Sequence, residues 1–400
     1  MKNCYLLLMM IVAALTPATA HADYATVDFT VDGYSYHIND DGQTVTVTYK
    51  TLADYLYIPN IDNLPEQVMY KGKVYTVTTI GDAAFAVAPY ITNLKLPATV
   101  TRLEKDAFAC GISLTEVDLG STIEYIGPSA FEACTSLKSI TFPASIKYLG
   151  YRALENCHAL EVINLPANLD AVPADLCTWC KSLKSITVPE GYRGINFHAF
   201  WHCTSLVEVN LPSTLEFIDG AAFSECTSLK SIVIPSNVKS IASSAFCGCT
   251  NLESITLPAT CEIVGYETFV GTNLKQIICY SPVPPALDER SFSNYDATVY
   301  VPANAVDTYR ADELWSRFDD IRAIVATPDL SGDGIVNVND ISILYDYVVG
   351  NSTALGDLNG DGFINSGDIS TLYDAILNDK QPSGMTEKRG TGNRTINTRP

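Results

Sequence analysis

Apolar and polar positions alternate in a fixed order that repeats every 23 residues over more than half of the chain. One copy is LVEVNLPSTLEFIDGAAFSECTS, from Leu206 to Ser228. The same register carries a phenylalanine column, Phe85, Phe108, Phe131, Phe200, Phe223, Phe246, Phe269 and Phe292, in which Leu154 and Cys177 take the two intervening places. It also carries a cysteine column, Cys134, Cys157, Cys180, Cys203, Cys226 and Cys249. Several columns in one register predict stacked copies of a single structural unit.

Each unit begins with a short apolar segment that a proline ends. Apolar residues at positions 1, 4 and 6 of the unit predict a strand, which proline terminates because it has no N–H for a further ladder bond. The later Ala-Phe-x-x-Cys segment predicts a single helical turn. One unit buries its apolar edge only against a copy of itself, so the strands should stack about 4.8 Å apart. We therefore predict a β-rich α/β repeat solenoid, a horseshoe or rod of 23-residue units.

The segments that flank the array have different patterns. Residues 23–76 alternate between polar and apolar side chains, which predicts antiparallel β-hairpins that cap the first coil. The array itself is predicted over residues 77–298. Residues 299–326 predict a C-terminal cap made of a strand and then a helix through TYRADELWSRFDDIRAI, in which apolar side chains have helical spacing.

The array resembles a known family in its short motifs. The combination of a 23-residue period, I-P or L-P after the strand, I-G-x-x-A-F and C-x-S-L is similar to the BspA-type leucine-rich repeat of bacterial surface proteins. Two copies that carry it are SLKSITFPASIKYLGYRALENC and SLKSIVIPSNVKSIASSAFCGC. The resemblance covers roughly Val77 to Ile324, and it implies an adhesin-like role in binding host matrix proteins.

A second repeat, at an offset of 28 residues, predicts two calcium loops. Hard oxygen donors occupy positions 1, 3, 5, 7, 9 and 12 of each loop, as in an EF-hand, and a glycine at position 6 allows the sharp turn. The donors are Asp329, Ser331, Asp333, the carbonyl of Ile335, Asn337 and Asp340 in the first loop, and Asp357, Asn359, Asp361, the carbonyl of Phe363, Asn365 and Asp368 in the second. We expect this segment to bind two calcium ions.

Residues 327–379, which contain both loops, resemble a dockerin. Each loop has Asp at position 12, lacks an entering helix and is followed by an amphipathic helix, which predicts a small α-helical, EF-hand-like domain. The resemblance implies calcium-dependent binding to a cohesin domain of a scaffold or surface protein. Positions 10 and 11, Val338-Asn339 and Ser366-Gly367, would then help to select the partner. Solvated acidic turns, or calcium that only folds the domain, are the alternatives.

The two ends of the chain predict export and a mobile tail. Lys2, an apolar run from Tyr5 to Leu15 and small residues before Ala20 and Ala22 predict a signal peptide over residues 1–22. No later stretch approaches the roughly 20 apolar residues that a membrane span needs, so we expect a secreted or cell-surface protein. Residues 380–400 are basic and poor in apolar side chains, which predicts a disordered tail.

Composition and missing motifs argue against several functions. The formal net charge of −20 argues against nucleic acids and anionic membranes as partners. No phosphate-binding loop, nucleophile elbow or HExxH motif occurs, so we expect no enzyme and no catalytic residues. His198 and His202 have no third metal ligand in view and are expected to be exposed. The cysteine column favours buried thiols, although disulfides between neighbours remain an alternative.

The array is therefore expected to act as a binding surface for an extracellular protein or glycan. Strand positions 3 and 5 should face outward and are mostly small and polar, as in Ser139 and Thr141. Trp179 and Trp201 belong to a group of large aromatic residues in the middle units, which predicts either a docking patch or packing between turns. The main hypothesis is an adhesin-like protein tethered by its calcium domain. The alternatives are a glycan-binding accessory of a dockerin-assembled polysaccharide-degrading complex, and a structural spacer.

Overall fold

The computed structural model describes residues 26–49 and 64–324, and this part of the chain is a β-solenoid. It has about 11 turns built from 23-residue repeats, with almost no helix. The chain divides into the units Met1–Ile324 and Val325–Pro400. The predicted signal peptide, the two calcium loops and the basic tail lie outside the described residues.

The N-terminal strands join the solenoid edge to edge. Strands β1 (Phe29–Val31), β2 (Tyr34–Ile38) and β3 (Thr44–Thr48) form an antiparallel meander, and β4 (Gln67–Tyr70) pairs antiparallel with β5 (Lys73–Ile80). Strand β3 pairs in parallel with β5. The hairpins thus extend a solenoid wall and supply its first strands with hydrogen-bonding neighbours.

The first strand of each coil contributes to one face, called wall 1 here. Neighbouring strands along this face pair in parallel with a shift of about one repeat, as in Ile140 opposite Ile163, although the ladder is interrupted at three places. Wall 1 consists of β6 (Asn93–Lys95), β8 (Glu116–Asp118), β10 (Ser139–Thr141), β12 (Val162–Asn164), β14 (Ser185–Thr187), β16 (Glu208–Asn210), β18 (Ser231–Val233), β20 (Ser254–Leu257), β22 (Gln276–Cys279), β24 (Thr298–Val301) and β25 (Asp320–Ala323).

A second, two-residue strand follows the proline turn of each coil and builds wall 2. After β5 this wall contains β7 (Arg102–Leu103), β9 (Tyr125–Ile126), β11 (Tyr148–Leu149), β13 (Ala171–Val172), β15 (Gly194–Ile195), β17 (Phe217–Ile218), β19 (Ser240–Ile241), β21 (Ile263–Val264) and β23 (Ala286–Leu287). In each pair the second residue points into the core, while most first residues are at least partly exposed. The ladder is continuous to β11 and again from β13, but no strand pairing joins these two strands.

The Ala-Phe-x-x-Cys segment is not helical, which corrects the expected helical turn. Its N–H groups alternate in direction: Phe85 donates to the carbonyl of Ala107 in the next coil at 2.8 Å, whereas Ala84 donates to Gly81 in its own coil at 3.1 Å. A helix would direct every N–H along its own axis, so it could not supply the bonds between coils. We call this third side the turn wall.

The C-terminal cap also differs from the predicted helix. Helix α1 covers only Val306–Ala311, a 3-10 turn follows at Trp315–Arg317, and the chain then enters β25. Strand β25 pairs in parallel with β24, where Ile321 lies opposite Val299. A strand at the free edge of wall 1 pairs with the backbone N–H and C=O groups there, whereas a longer helix would leave these groups without partners. Ile321 is buried as predicted, but on a strand.

Two side-chain columns fill the core. The phenylalanine rings stack between neighbouring coils, with centroids 5.4 Å apart for Phe85 and Phe108 and 5.5 Å apart for Phe223 and Phe246. In the cysteine column each thiol donates to a carbonyl of the preceding coil, for example Cys157 to Phe131 at 3.2 Å. Cys157, Cys180, Cys203, Cys226 and Cys249 of this column form no disulfides. The predicted alignment of phenylalanines in one column is confirmed.

Candidate binding surfaces

The outward positions of wall 1 are mostly polar, with Val162 and Val233 as exposed apolar exceptions. Ser139, Thr141, Ser185 and Thr187 are exposed, while the residue between each pair is buried, because side chains alternate across a strand. Hydrogen bonds link neighbouring coils along this surface, as in the 3.3 Å bond from Asn210 Nδ2 to Thr187 Oγ1. The predicted outward direction is confirmed for these strands. Wall 1 offers donors and acceptors without large side chains at these positions.

Trp179 and Trp201 come together on the turn wall. Their ring centroids are 5.8 Å apart, with planes at 70°. The ring of His202 lies 3.7 Å from that of Trp179, and His198 stacks on Trp201 at 4.7 Å. Phe197 extends this group and is 47% exposed. We call these five residues the tryptophan patch.

The backbone of the turn wall holds the tryptophan patch in place. The Trp179 N–H donates to the carbonyl of Trp201 at 2.8 Å, and the His202 N–H donates to Ser224 in the next coil at 2.8 Å. Trp179, His198 and His202 have φ values of 63°, 58° and 61°, in the left-handed region. Trp179 and His202, whose rings meet between adjacent coils, both have this conformation. Sequence periodicity predicted the spacing of these residues but did not indicate their left-handed backbone conformation.

The two histidines are half-buried, which corrects the expectation that they are exposed. His198 Nδ1 lies 3.2 Å from Asp175 Oδ1, and its side chain is only 24% exposed. Burial lowers the pKa of His202, with Lys181 adding to this effect and Glu225 opposing it. A neutral His202 ring packs readily against Trp179. Neither histidine belongs to a cluster of three or more potential metal ligands in residues 26–49 and 64–324.

An acidic cluster borders the patch. Arg152 Nε lies 3.4 Å from Glu155 Oε2 and 3.5 Å from Asp175 Oδ2. Burial, reinforced by Glu132, raises the pKa of Glu155 to about 7 despite the attraction of Arg152. The raised pKa favours the neutral form of Glu155 and so reduces the negative charge of this cluster.

The remaining aromatic residues of the middle units do not join the tryptophan patch. Tyr192 is fully buried, and its hydroxyl donates to the Pro166 carbonyl at 2.6 Å. Tyr148 and Phe217 lie on wall 2, where they are 42% and 37% exposed. One sequence cluster thus divides among the core and two separate surfaces, because neighbours in sequence point to different sides of a coil.

Most of the predicted site residues belong to the C-terminal part of the chain, after residue 324. The two sets of calcium ligands and the candidate partner-selecting residues Val338, Asn339, Ser366 and Gly367 all lie outside the described residues. Of the candidate binding residues, only Trp179 and Trp201 are described. No helix in the described ranges has the length and apolar character of a membrane span.

Comparison with known proteins agrees with the fold. The sequence profile described as BspA type Leucine rich repeat region matches residues 73–177 and 170–298, with six copies. Among solved structures, the chain is similar to a leucine-rich repeat protein from Bacteroides ovatus, with a TM-score of 0.51 and 23% identity over 74% of this chain and 90% of that chain. It is also similar to the pneumococcal vaccine antigen PcpA, with a TM-score of 0.37 and 20% identity over 75% of this chain and 99% of that chain. No curated protein sequence gives a significant match. Since the profile covers more than half of its length, the chain belongs to the BspA type leucine-rich repeat family.

Proposed function

We propose that this protein is a non-enzymatic, adhesin-like binding protein whose repeat array engages an extracellular protein or glycan. The supporting observation is the tryptophan patch, in which Trp179, Trp201 and the exposed Phe197 share one side of adjacent coils. Aromatic side chains on a surface are the residues that most often dominate binding energy. Leucine-rich repeat proteins are typically binding proteins and not enzymes.

Rigidity supports the same proposal. The patch side chains pack on one another, and their backbone is tied to neighbouring coils by hydrogen bonds such as that from Trp179 to Trp201. A ligand therefore meets groups that are already ordered and loses less conformational freedom on binding. Wall 1 adds hydrogen-bonding groups on a second side of each coil.

Binding assays with the double variant Trp179→Ala/Trp201→Ala test this proposal. Immobilised extracellular matrix proteins and a glycan array serve as the two ligand classes, and Tyr90→Ala, which removes a 78% exposed tyrosine elsewhere, is the control. Saturable protein binding that is lost only in the double variant supports the adhesin-like role. Glycan binding with the same dependence supports the accessory role in polysaccharide degradation. If neither class binds, the structural spacer is the remaining hypothesis.

We also propose that residues 327–379 form a calcium-binding tether. The donor set contains only carboxylate, amide, hydroxyl and carbonyl oxygens, which fits the preference of calcium for hard ligands. Calorimetry should show two calcium ions bound by the intact chain and none by Asp329→Ala/Asp357→Ala. An unchanged stoichiometry in this double variant would contradict the ligand assignment.

The tether would bind a cohesin-type scaffold or surface protein in a calcium-dependent way. A pull-down from the native cell envelope, with and without a chelator, tests this step. A scaffold protein that is retained with calcium and released by the chelator supports tethering. If the chelator unfolds residues 327–379 but no partner depends on calcium, the ions have only a structural role.

Export to the cell surface completes the proposal. It is supported by the basic residue, apolar run and small residues that precede Ala20 and Ala22. Mass spectrometry of the protein from its native cells should find an N-terminus at His21 or Asp23. An intact N-terminus on protein found inside the cells would contradict export.

A further inference from the structure

A column of stacked charged and aromatic groups covers part of wall 2. The guanidinium of Arg102 lies 4.0 Å from the ring centroid of Tyr125. The ring of Tyr125 stacks in turn on Tyr148, with centroids 4.7 Å apart and planes within 10°. The next coil carries Ala171 at this position, and among the described residues Tyr148 stacks on the Tyr125 ring alone. The column therefore stops at a partly exposed tyrosine.

A second aromatic residue, Phe217, belongs to the third coil after that of Tyr148 and points back toward this end of the column. The ring of Phe217 lies across Gly194, where a Cβ atom would collide with it. Between Tyr148 and the Phe217 ring this position of the wall carries only the methyl group of Ala171, and we call it the Ala171 slot. With coils about 4.8 Å apart, the coils of Tyr148 and Gly194 are roughly 10 Å apart. A flat group in contact with a ring on each side needs about 7 Å, so one such group fits.

The Ala171 slot lies beside a carboxylate that has no cation. Along this edge of wall 2, Lys147 Nζ pairs with Glu124 in the preceding coil at 2.8 Å. Arg193 pairs with Glu216 in the following coil, also at 2.8 Å. Both cations that flank Asp170 are thus directed away from it. Asp170 is exposed and forms no ion pair with any residue of the described part of the chain.

The slot also coincides with the interruption of wall 2. No strand pairing joins β11 to β13, and Asp170 lies on a bend just before β13. Elsewhere this wall is a continuous ladder whose outward side chains follow one another at each coil. The Ala171 slot is therefore a local feature of the surface and is not repeated along the array.

Two arginines of this chain show which group binds next to both a tyrosine ring and a carboxylate. Arg102 lies on Tyr125 while its Nε is 2.9 Å from Glu104 Oε1. Arg290 lies 5.2 Å from the ring of Tyr266 and pairs with the neighbouring Glu267. Each arrangement combines a tyrosine ring, a carboxylate and a guanidinium. The Ala171 slot has the ring of Tyr148 and the carboxylate of Asp170 but no guanidinium.

We propose that the Ala171 slot binds an arginine side chain of a partner protein, which stacks on Tyr148 and pairs with Asp170. A guanidinium is flat, always charged and weakly hydrated, so it suits a position between an aromatic face and a carboxylate better than an ammonium group does. The net charge of −20 also attracts a basic partner. This inference rests on the proposed binding function and assigns a partner chemistry to a second surface.

Nuclear magnetic resonance titration with small probes tests the slot directly. N-acetyl-arginine amide should produce saturable shifts of the Tyr148 and Tyr125 ring signals, and the neutral citrulline analogue should bind at least several-fold more weakly. Tyr148→Ala and Asp170→Asn should each weaken arginine binding by about two- to fivefold. Ala171→Phe should abolish it, because the new ring fills the slot. Tyr90→Ala and Asp307→Asn, at exposed sites elsewhere, should change nothing.

Other outcomes overturn the assignment. If the arginine and citrulline probes bind alike, or if neither shifts the Tyr148 signals, no arginine site exists. If methyl glucoside shifts these signals instead, the slot binds a sugar. Macromolecular ligand binding that persists in the Ala171→Phe variant would refute only the slot and leave the proposed binding function intact. Arginine binding without any macromolecular ligand would refute the binding function instead.

Discussion

The thiols of the cysteine column stay protonated more readily than ordinary thiols because they are buried away from water. Burial raises the pKa of Cys203 and Cys226 well above the ordinary value, and neighbouring thiols of the column add to the effect. Each remains a neutral donor to a carbonyl, as in the 3.2 Å bond from Cys203 to Cys177. At the residue scale, the cysteines therefore contribute packing and hydrogen bonds, and they are poor nucleophiles.

These raised pKa values predict that the protein loses stability in alkaline solution. Burial raises the pKa of Cys279 to about 11 and that of Cys261 to about 12. In the unfolded chain the thiol pKa is about 8.5. Above this pH the unfolded chain releases thiol protons that the native chain retains. This difference lowers the free energy of unfolding by roughly 1.4 kcal/mol per thiol for each pH unit. Urea unfolding at pH 8, 9 and 10 measures the loss. Cys203→Ala should lose less than the wild type over this range, and equal losses would contradict the argument.

Gly194 illustrates a steric requirement that a single residue imposes. The ring of Phe217 lies across it, so Gly194→Ala should destabilise the fold by about 1–3 kcal/mol through overpacking. The double variant Gly194→Ala/Phe217→Ala should regain most of this loss, because the colliding ring is absent. Urea unfolding of both single variants and the double variant gives the coupling energy. Additive effects would show that Phe217 moves away at little cost.

At the scale of elements, the turn wall decides how coils connect. Most coils contain two residues with positive φ, one on each side of the phenylalanine position, such as Asp106 and Cys110 around Phe108. Side chains in this conformation are strained by about 1–2 kcal/mol each. The strain is offset by hydrogen bonds to the next coil, such as Phe108 to Ala130 at 2.8 Å. Three of the five residues of the tryptophan patch, Trp179, His198 and His202, occupy these positions.

This strain predicts opposite effects of glycine at two neighbouring alanines. Ala221 has a φ of 52°, so Ala221→Gly should relieve backbone strain. The net stabilisation should be roughly 0.5–1 kcal/mol once the larger conformational entropy of glycine in the unfolded chain is subtracted. Ala222 is fully buried and has no positive φ, so Ala222→Gly should destabilise it by about 1 kcal/mol or more. Thermal or urea unfolding compares the two. The same sign for both variants would contradict the role of backbone strain.

At the scale of the whole molecule, charges alternate in sign from coil to coil. One row along wall 2 consists of Glu124, Lys147, Asp170, Arg193, Glu216, Lys239 and Glu262. A row beside wall 1 contains Lys138, Glu161, Lys184, Lys230, Glu253 and Lys275, with ion pairs such as Lys184–Glu161 at 2.6 Å. Each exposed pair contributes little, about 0–1 kcal/mol. Together the rows distinguish odd from even coils, so that the charge pattern repeats every two coils.

Deletion of coils tests this pattern. Removal of residues 206–228 deletes one coil and places Lys184 beside Lys230 and Arg193 beside Lys239, whereas removal of residues 206–251 deletes two coils and restores opposite charges. Both variants should fold, because each coil contacts mainly its neighbours. Raising salt from about 0.05 to 0.5 M should stabilise the one-coil deletion more than the two-coil deletion, since salt screens the new repulsions. Equal salt effects on their thermal unfolding would show that the rows do not matter.

The sequence alone determined the architecture of the array. A 23-residue period with apolar columns permits burial only against a copy in the same register, so the stacking of Phe223 on Phe246 and the burial of Cys203 followed from spacing. The calcium loops stay a prediction of this kind. Their ligands follow from donor type and spacing and lie outside the described residues.

Only the tertiary structure decided how side chains of different coils meet. It replaced the expected turn of helix by a strained turn wall, because the N–H groups bond between coils, and so brought His202 onto Trp179. It also separated Tyr148 from the tryptophan patch. Asp170 has no cation among the described residues, since Lys147 and Arg193 pair with glutamates on the sides of their coils that face away from Asp170. Periodicity reports which residues share a column, whereas backbone conformation sets their directions. The binding surfaces of a solenoid depend on those directions.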